Sequence, residues 1–223
     1  MRVKILRQVT SFSEPYWESF NYDGPETNSI AGVLDYLNYN DDIRDIDGNP
    51  TTRIGWECSC MQGVCGACAM VINGIPALAC NTMVKDLKGD EIEIRPLRKF
   101  MTIHDLVIDR TSIQENLKKK KIYVEEYNQG DAKNQQHQYD VAKCLKCGLC
   151  LEVCPNYVNG ENFYGAVFAN DCYLVASRNK KKSKEIKQSY KKHFGKGCSK
   201  SLSCVDVCPM QIDGVKSMGK MNR

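Results

Sequence analysis

Residues 60–80 decide how the first half of the chain folds, and they read CMQGVCGACAMVINGIPALAC. Their cysteines have the C-x4-C-x2-C spacing, followed by one distant cysteine, that is typical of plant-type 2Fe-2S sites. A short loop must wrap around such a cluster to offer three thiolates, and Gly63 and Gly66 allow the dihedral angles that this wrap needs. Asn73 and Gly74 form a hairpin-turn dipeptide that returns the chain with the fourth thiolate. The stretch predicts a 2Fe-2S site with the ligands Cys60, Cys65, Cys68 and Cys80.

Cys58 offers an alternative first ligand, because it lies two residues before Cys60. The distance from Cys60 to Cys65 fits the plant-type spacing, whereas the distance from Cys58 does not. The sequence therefore favours Cys60 as the ligand and Cys58 as a spare thiol.

Two further cysteine runs lie in the second half of the chain: residues 144–155 read CLKCGLCLEVCP and residues 198–209 read CSKSLSCVDVCP. In the bacterial ferredoxin run C-x2-C-x2-C-x3-C-P, three cysteines bind one cluster and the fourth binds the other. This rule predicts a 4Fe-4S cluster on Cys144, Cys147, Cys150 and Cys208. In the second run Ser201 occupies the second cysteine position, so Cys154, Cys198 and Cys204 remain. Three thiolates are suited to a 3Fe-4S cluster.

Two other kinds of metal chemistry are compatible with some of these cysteines. The Ser201 oxygen could bind a fourth iron and complete a 4Fe-4S cluster, although it is a harder and more basic ligand than a thiolate. C-x2-C pairs also bind zinc, but zinc sites need two ligand pairs each. The three sets account for all but two of the 13 cysteines. The two exceptions are Cys58 and Cys172, and Cys172 is predicted to be a buried core thiol.

The hydrophobic pattern predicts an α+β chain with two domains. Strands are expected at residues 2–9, with Val3, Ile5 and Val9 on one face, and at residues 16–22, 69–72, 75–79 and 91–94. A helix capped by Asn28 or Ser29 follows the second strand. From Ile103 to Lys121 the pattern looks helical. We therefore predict a 2Fe-2S domain over residues 1–102 and an all-α domain with the other two clusters over residues 103–223.

Charge, apolar runs, cysteine number and motifs argue against several classes of protein. The chain has 223 residues and a formal net charge of +4, which does not require a nucleic-acid partner. The N-terminal residues contain no apolar run of the length found in signal peptides, so export is not expected, and the chain has no run of about 18 apolar residues that could cross a bilayer. The odd number of cysteines favours reduced thiols over a disulfide framework. The sequence shows no catalytic triad, phosphate loop or dinucleotide fingerprint, and His104, His137 and His193 have no ligand spacing.

Lysine-rich segments lie at residues 118–121 and 178–192. A solvated helix face or loop is the preferred interpretation, and a docking surface for a partner or for anionic lipid is the alternative.

These motifs together resemble the iron-sulfur subunit of the succinate dehydrogenase/fumarate reductase family over nearly the whole chain. The resemblance implies an N-terminal β-grasp domain of the plant-type ferredoxin kind and a C-terminal bacterial-ferredoxin-like domain. It also implies a partner flavoprotein subunit with FAD, and a membrane anchor with quinone and in many members haem. The chain would then be an electron-transfer subunit, not catalytic on its own, at the cytoplasmic face of a prokaryotic membrane.

The resemblance has departures. Members that use ubiquinone commonly carry a tryptophan after the first Cys-Pro and a histidine after the cysteine that corresponds to Cys198, whereas this chain has Asn159 and Ser199 there. These differences favour a menaquinone-type enzyme, or a subunit serving another flavoprotein such as a thiol-linked fumarate reductase.

Overall fold

The computed structural model describes residues 1–124 and 134–223. Contacts divide the chain into two compact units, Met1–Asp109 and Arg110–Arg223. The predicted helical domain includes residues 125–133, which lie outside the described residues. Each unit is described by itself below.

The first unit is built on a mixed five-stranded sheet with the order β2-β1-β5-β3-β4. Strands β1 and β5 are parallel, and the other neighbouring pairs are antiparallel. The strands are β1 (Arg2–Arg7), β2 (Tyr16–Asn21), β3 (Ala69–Ile72), β4 (Ile75–Leu78) and β5 (Glu91–Arg95).

Alternating apolar residues place one face of this sheet in the core. Val3 lies opposite Ile92, and Ile5 lies opposite Ile94, all four of them buried. The predicted hairpins, the Asn73-Gly74 turn and the final strand are confirmed. Val9 was predicted on the buried face, but this is wrong, because β1 ends at Arg7 and Val9 is 61% exposed.

Helix α1 (Ile30–Asn38) supports the end of the β3–β4 hairpin. Its N-cap is Ser29, whose Oγ accepts a hydrogen bond from the Gly32 amide at 3.2 Å. The helix contacts the 3-10 turn Ala79–Asn81, and the Ile30 amide donates to the Thr82 carbonyl at 2.8 Å. The first turn of α1 therefore holds the segment that contains Cys80.

The predicted helix from Ile103 is wrong in its first part. Residues 102–108 form a two-stranded hairpin of β6 (Thr102–His104) and β7 (Val107–Ile108). The helix α2 begins only at Thr111 and ends at Lys119.

Asp105, at the turn of this hairpin, ties it to the first unit. Its carboxylate is 1% exposed, accepts from the Gln8 amide at 2.9 Å and the Gly55 amide at 2.8 Å, and pairs with Arg7 Nε at 3.0 Å. Arg7 also pairs with Glu18. These contacts join the hairpin to the rest of Met1–Asp109, whereas the predicted boundary after residue 102 would separate them.

The regular elements described in the second unit are helical. After α2 come α3 (Gln135–Ala142), α4 (Leu149–Glu152), α5 (Gly165–Arg178), α6 (Ser183–Tyr190), α7 (Ser203–Asp206) and α8 (Gly214–Met221), with a π turn at Lys191–Gly195. Helix α5 is central and contacts α2, α3, α4, α6 and α8. It is buried on most of its faces because a helix surrounded by helices has little surface left for water. Cys172 lies on α5 in the core, as predicted.

Candidate metal centres

The first cysteine set is brought together by the β3–β4 hairpin. Cys68 immediately precedes β3, and Cys80 follows β4 in the turn Ala79–Asn81. The hairpin register pairs Ala69 with Leu78, and the Ala79 amide donates to the Cys68 carbonyl at 3.0 Å. The two sulfur atoms of Cys68 and Cys80 consequently lie 3.3 Å apart.

Backbone amides of the preceding loop point at the sulfur atoms. The amides of Gln62 and Val64 each lie 3.4 Å from Cys60 Sγ, and the Gly63 amide lies 3.2 Å from Cys80 Sγ. Left-handed dihedral angles at Met61, Gly63 and Gly66 curve the loop so that its amides face inward. Amide donors around sulfur ligands stabilise negative charge, which is what a thiolate-bound cluster brings to the site.

The electrostatics of the thiols follow from these contacts. Hydrogen bonds from the Gln62 and Val64 amides lower the pKa of Cys60 to about 7. Burial raises the pKa of Cys68 to about 11, and the Cys80 amide opposes this rise whereas the Cys80 thiol adds to it. Because iron binds the thiolate form, the amides around Cys60 favour the form that binds metal, whereas burial favours the protonated form of Cys68.

Cys58 differs from the four predicted ligands in its surroundings. It is exposed, whereas Cys60 accepts the loop amides and also interacts with Cys65. The sulfur contacts in this loop therefore connect Cys60, Cys65, Cys68 and Cys80.

In the second unit the two cysteine runs adopt the same local backbone. In the first run Lys146 and Gly148 have positive φ of 56° and 91°, and in the second run Lys200 and Leu202 have positive φ of 61° and 63°. Each loop leads into a four-residue helix, α4 or α7. Alternating left-handed residues turn successive amides toward one side and create an anion-binding concavity.

The cysteines of the predicted 4Fe-4S set line one cavity. The wall contains Cys144, Cys147, Cys150 and Cys208, together with apolar groups such as Val167 and Ile212. Burial raises the pKa of Cys147 to about 11 and the pKa of Cys150 well above its usual value. Four soft sulfur donors around an apolar cavity fit an iron-sulfur cluster, whose iron ions compensate the charge of the thiolates.

The cysteines of the predicted 3Fe-4S set are also neighbours. Burial raises the pKa of Cys204 to about 11, and Cys154 and Cys198 raise it further. Cys204 also lies in the wall of the first cavity, so it stands between the two sets. Ser201 lies in the second loop between Lys200 and Leu202, as Cys147 lies between Lys146 and Gly148.

Within residues 1–124 and 134–223, no group of three or more histidine, cysteine, aspartate or glutamate side chains is arranged to hold a single metal ion. Among the described residues, the cysteines lie in one loop and around one cavity.

Comparison with known proteins connects these sites to a family. A model described as a 2Fe-2S iron-sulfur cluster binding domain matches residues 2–115. Models described as a 4Fe-4S double cluster binding domain and a 4Fe-4S dicluster domain match residues 143–211 and 110–159.

Relatives match almost the whole chain. The succinate dehydrogenase iron-sulfur subunit of Bacillus subtilis (strain 168) is 31% identical over 100% of this chain and 91% of its own length. The fumarate reductase iron-sulfur subunit of Escherichia coli O6:H1 is 29% identical over 96% of this chain and 88% of its own length. This chain belongs to the succinate dehydrogenase/fumarate reductase iron-sulfur subunit family. The predicted resemblance is confirmed.

The fold agrees with the family. A chain of the Mycobacterium smegmatis Sdh1 complex in the apo form matches with a TM-score of 0.75, 20% identity and coverage of 99% of this chain and 94% of that chain. At this identity the match concerns the fold only. It confirms a mixed sheet followed by helices.

Family membership gives the role of the clusters. An iron-sulfur subunit of this family transfers electrons within an oxidoreductase complex and is not catalytic on its own, and the chain has 2Fe-2S and 4Fe-4S cluster binding domains. Among the described residues, no helix has the length and apolar character needed to cross a membrane.

The three histidines of this iron-sulfur subunit make contacts away from the cysteines. His137 is buried with its Nε2 3.1 Å from Ser217 Oγ, and His193 stacks on Tyr164. His104 Nε2 lies 3.2 Å from Asp105.

One charged group at the cysteine sites was missed by sequence reasoning. Lys146 lines the cavity of the predicted 4Fe-4S set and pairs with Asp171 on α5. The position of Lys146 between two cysteines is visible in the sequence, but its partner lies 25 residues away. No local pattern connects the two residues.

Proposed function

We propose that this subunit relays single electrons between a flavoprotein subunit and membrane quinone in a succinate dehydrogenase or fumarate reductase complex. The observation that supports this proposal most strongly is the presence of three cysteine sets in a chain of this family. Interconversion of succinate and fumarate moves two electrons, which FAD exchanges as a pair. Iron-sulfur clusters accept one electron at a time, so the chain separates the pair into single transfers.

In this proposal, Cys60, Cys65, Cys68 and Cys80 hold the 2Fe-2S cluster. The contact between Cys68 and Cys80 and the amides that face Cys60 and Cys80 support this ligand set. The mixed sheet with α1 beside the last ligand supports a β-grasp fold of the plant-type ferredoxin kind for this unit.

The second unit is proposed to hold a 4Fe-4S cluster and a 3Fe-4S cluster, in a bacterial-ferredoxin-like arrangement. The shared cavity supports Cys144, Cys147, Cys150 and Cys208 as the first ligand set. The proximity of Cys154, Cys198 and Cys204 supports the second set, in which Ser201 replaces a fourth thiolate. The repeated loop geometry supports the equivalence of the two runs.

The proposed partners are a FAD-containing flavoprotein and a membrane anchor subunit that binds quinone, at the cytoplasmic face of a prokaryotic membrane. The relatives support an assembly because their names describe them as subunits. Asn159 and Ser199, in place of the tryptophan and histidine expected for ubiquinone, support a menaquinone-type partner.

Electron paramagnetic resonance of the anaerobically purified chain tests the cluster content. We expect a 3Fe-4S signal in the oxidised protein, followed by 2Fe-2S and 4Fe-4S signals on stepwise reduction. Iron and zinc analysis of the same sample accompanies the spectra. Zinc in place of iron, with no paramagnetic signal after controls for cluster loss, would refute the relay.

A matched pair of variants tests the first ligand set. Cys60→Ser should abolish or strongly alter the 2Fe-2S signal because the loop amides converge on that sulfur. Cys58→Ser removes an exposed thiol two residues away and should leave the signal unchanged. The reverse outcome would assign the ligand role to Cys58.

A further inference from the structure

A partly buried ion pair lies at the cavity of the proposed 4Fe-4S cluster. Lys146 stands between Cys144 and Cys147 in the first ligand loop, and its side chain is 24% exposed. Its Nζ contacts both carboxylate oxygens of Asp171, whose side chain is 10% exposed. Lys146 therefore belongs to the wall of the cavity that the four sulfur atoms line.

The pair is oriented with its positive end toward the cavity. Lys146 is in the cavity wall, whereas the residue of α5 in that wall is Asn170, the neighbour of Asp171. The charge of Lys146 also acts on Cys144 more strongly than the charge of Asp171 does. The Asp171 carboxylate therefore lies farther from the cavity and holds the ammonium group through their direct contact.

Stability alone is a poor explanation for this pair. Removing two charges from water costs about as much as their attraction returns, so buried pairs contribute little net stability. What distinguishes Lys146 is its place in the cavity wall together with its contact to Asp171. A charge held there by a second charged group has an electrostatic effect on the contents of the cavity.

We propose that Lys146 raises the reduction potential of the 4Fe-4S cluster on Cys144, Cys147, Cys150 and Cys208, and that Asp171 is the positioning residue that holds its ammonium group at the cavity. The inference rests on the proposed function, since it requires that cluster. Reduction adds one negative charge to the cluster. A fixed positive charge in a site of low dielectric stabilises the reduced form more than the oxidised form.

The chain contains an internal control for this effect. Lys200 occupies the same position in the second ligand loop and has nearly the same φ of 61°, but it is exposed. Solvent and salt screen an exposed charge far more than a buried one. Lys200 should therefore have little influence on the potential of either cluster.

The test is a potentiometric titration of the full chain with its clusters, followed by electron paramagnetic resonance. At the wild-type midpoint, Lys146→Met should lower the ratio of reduced to oxidised 4Fe-4S cluster about tenfold, equivalent to about 59 mV for one electron. Lys146→Arg keeps the charge and should keep the midpoint close to the wild-type value. Lys200→Met should leave the midpoint unchanged. An unshifted midpoint in Lys146→Met, or an equal shift in Lys146→Arg, would overturn the proposal.

Lys146→Met leaves Asp171 buried without its cation, which could prevent folding. The double variant Lys146→Met/Asp171→Asn removes both charges and should also show a lower midpoint, because the positive end is the nearer one. A midpoint equal to or above wild type in the double variant would refute the role of Lys146. Absence of any 4Fe-4S signal in the wild-type chain would instead refute the cluster assignment.

Discussion

At the scale of single residues, Ser201 distinguishes the second ligand loop from the first. It lies between two left-handed residues, Lys200 and Leu202, just as Cys147 lies between Lys146 and Gly148. The backbone around Ser201 and around Cys147 therefore has the same pattern of left-handed residues. What differs is a hydroxyl oxygen in place of a thiol, so one side chain distinguishes a three-thiolate site from a four-thiolate site.

Replacing this serine should complete the second site. In Ser201→Cys, a fourth thiolate reaches the position that Cys147 occupies in the first loop. We expect the 3Fe-4S signal of the oxidised protein to fall, an additional 4Fe-4S signal to appear on reduction, and the iron content to rise by about one atom per chain. Low-temperature electron paramagnetic resonance with iron analysis measures all three.

Ser199→Cys is the control for an added thiol. Ser199 is exposed two residues earlier, and its Oγ donates to Asn156 Oδ1 at 2.6 Å. A cysteine there should leave the 3Fe-4S signal at its wild-type amplitude. If Ser201→Cys also retained the full oxidised signal, Ser201 would not occupy the open ligand position.

At the scale of elements, the two ligand loops adopt the same backbone conformation with different residues. Both need a left-handed residue just before the short helix, and the first run uses Gly148 while the second uses Leu202. Glycine tolerates a positive φ, whereas a leucine there carries a steric cost. Leu202 is 44% exposed, so its side chain recovers only part of that cost by burial.

Opposite substitutions should therefore have opposite effects. Gly148→Ala should destabilise the second unit by about 1 kcal/mol, whereas Leu202→Gly should leave stability unchanged or increase it by up to about 1 kcal/mol. Thermal denaturation at equal cluster content, with the visible absorbance of the clusters as the probe, measures both. A Leu202→Gly variant that lost as much stability as Gly148→Ala would show that the leucine side chain outweighs the strain.

The elements also show what sequence patterns can reveal. The β3–β4 hairpin could be predicted because an apolar run, the dipeptide Asn73-Gly74 and a second apolar run are adjacent in the chain. The β6–β7 hairpin could not, because the residue that holds it, Asp105, acts through Gln8 and Gly55. Local periodicity therefore suggested a helix where distant hydrogen bonds stabilise strands.

The cysteine sites also combine features that local sequence patterns predict with features that depend on contacts between distant residues. Ligand spacing predicted which cysteines come together, since each set is largely local or follows a known crossing rule. The ion pair between Lys146 and Asp171 depends on the packing of α5 against the first ligand loop, which spacing does not encode. The donor atoms are thus a prediction from the sequence, whereas the charges that surround them are visible only in the structure.

At the scale of the whole molecule, the division into two units separates the cluster sites. All four proposed 2Fe-2S ligands lie within Met1–Asp109, and all seven other proposed ligands lie within Arg110–Arg223. The predicted boundary at residue 102 would cut the chain before Asp105, whose carboxylate neutralises the buried Arg7. The position of the boundary therefore depends on how much the Asp105 contacts contribute to the stability of the first unit.

Two fragments test this boundary. Residues 1–109 should fold and give the 2Fe-2S signal on reduction, because they retain the sheet, the ligand loop and the Asp105 contacts. Residues 1–102 lack Asp105 and leave Arg7, which is 1% exposed, short of one of its two carboxylate partners. Loss of one partner from a buried charge network costs about 3–5 kcal/mol, a large share of the stability of a small domain.

The shorter fragment should consequently be unfolded or bind the cluster weakly, as judged by circular dichroism and by the iron retained after gel filtration. Asp105→Ala in the longer fragment separates the loss of this carboxylate from the loss of the hairpin, and it should reproduce most of the defect. Asp42→Ala is the matched control, because the Asp42 side chain is 70% exposed and its pair with Arg44 is worth under about 1 kcal/mol. If residues 1–102 bound the cluster as stably as residues 1–109, the β6–β7 hairpin would not contribute to the stability of the first unit. The predicted boundary would then be correct.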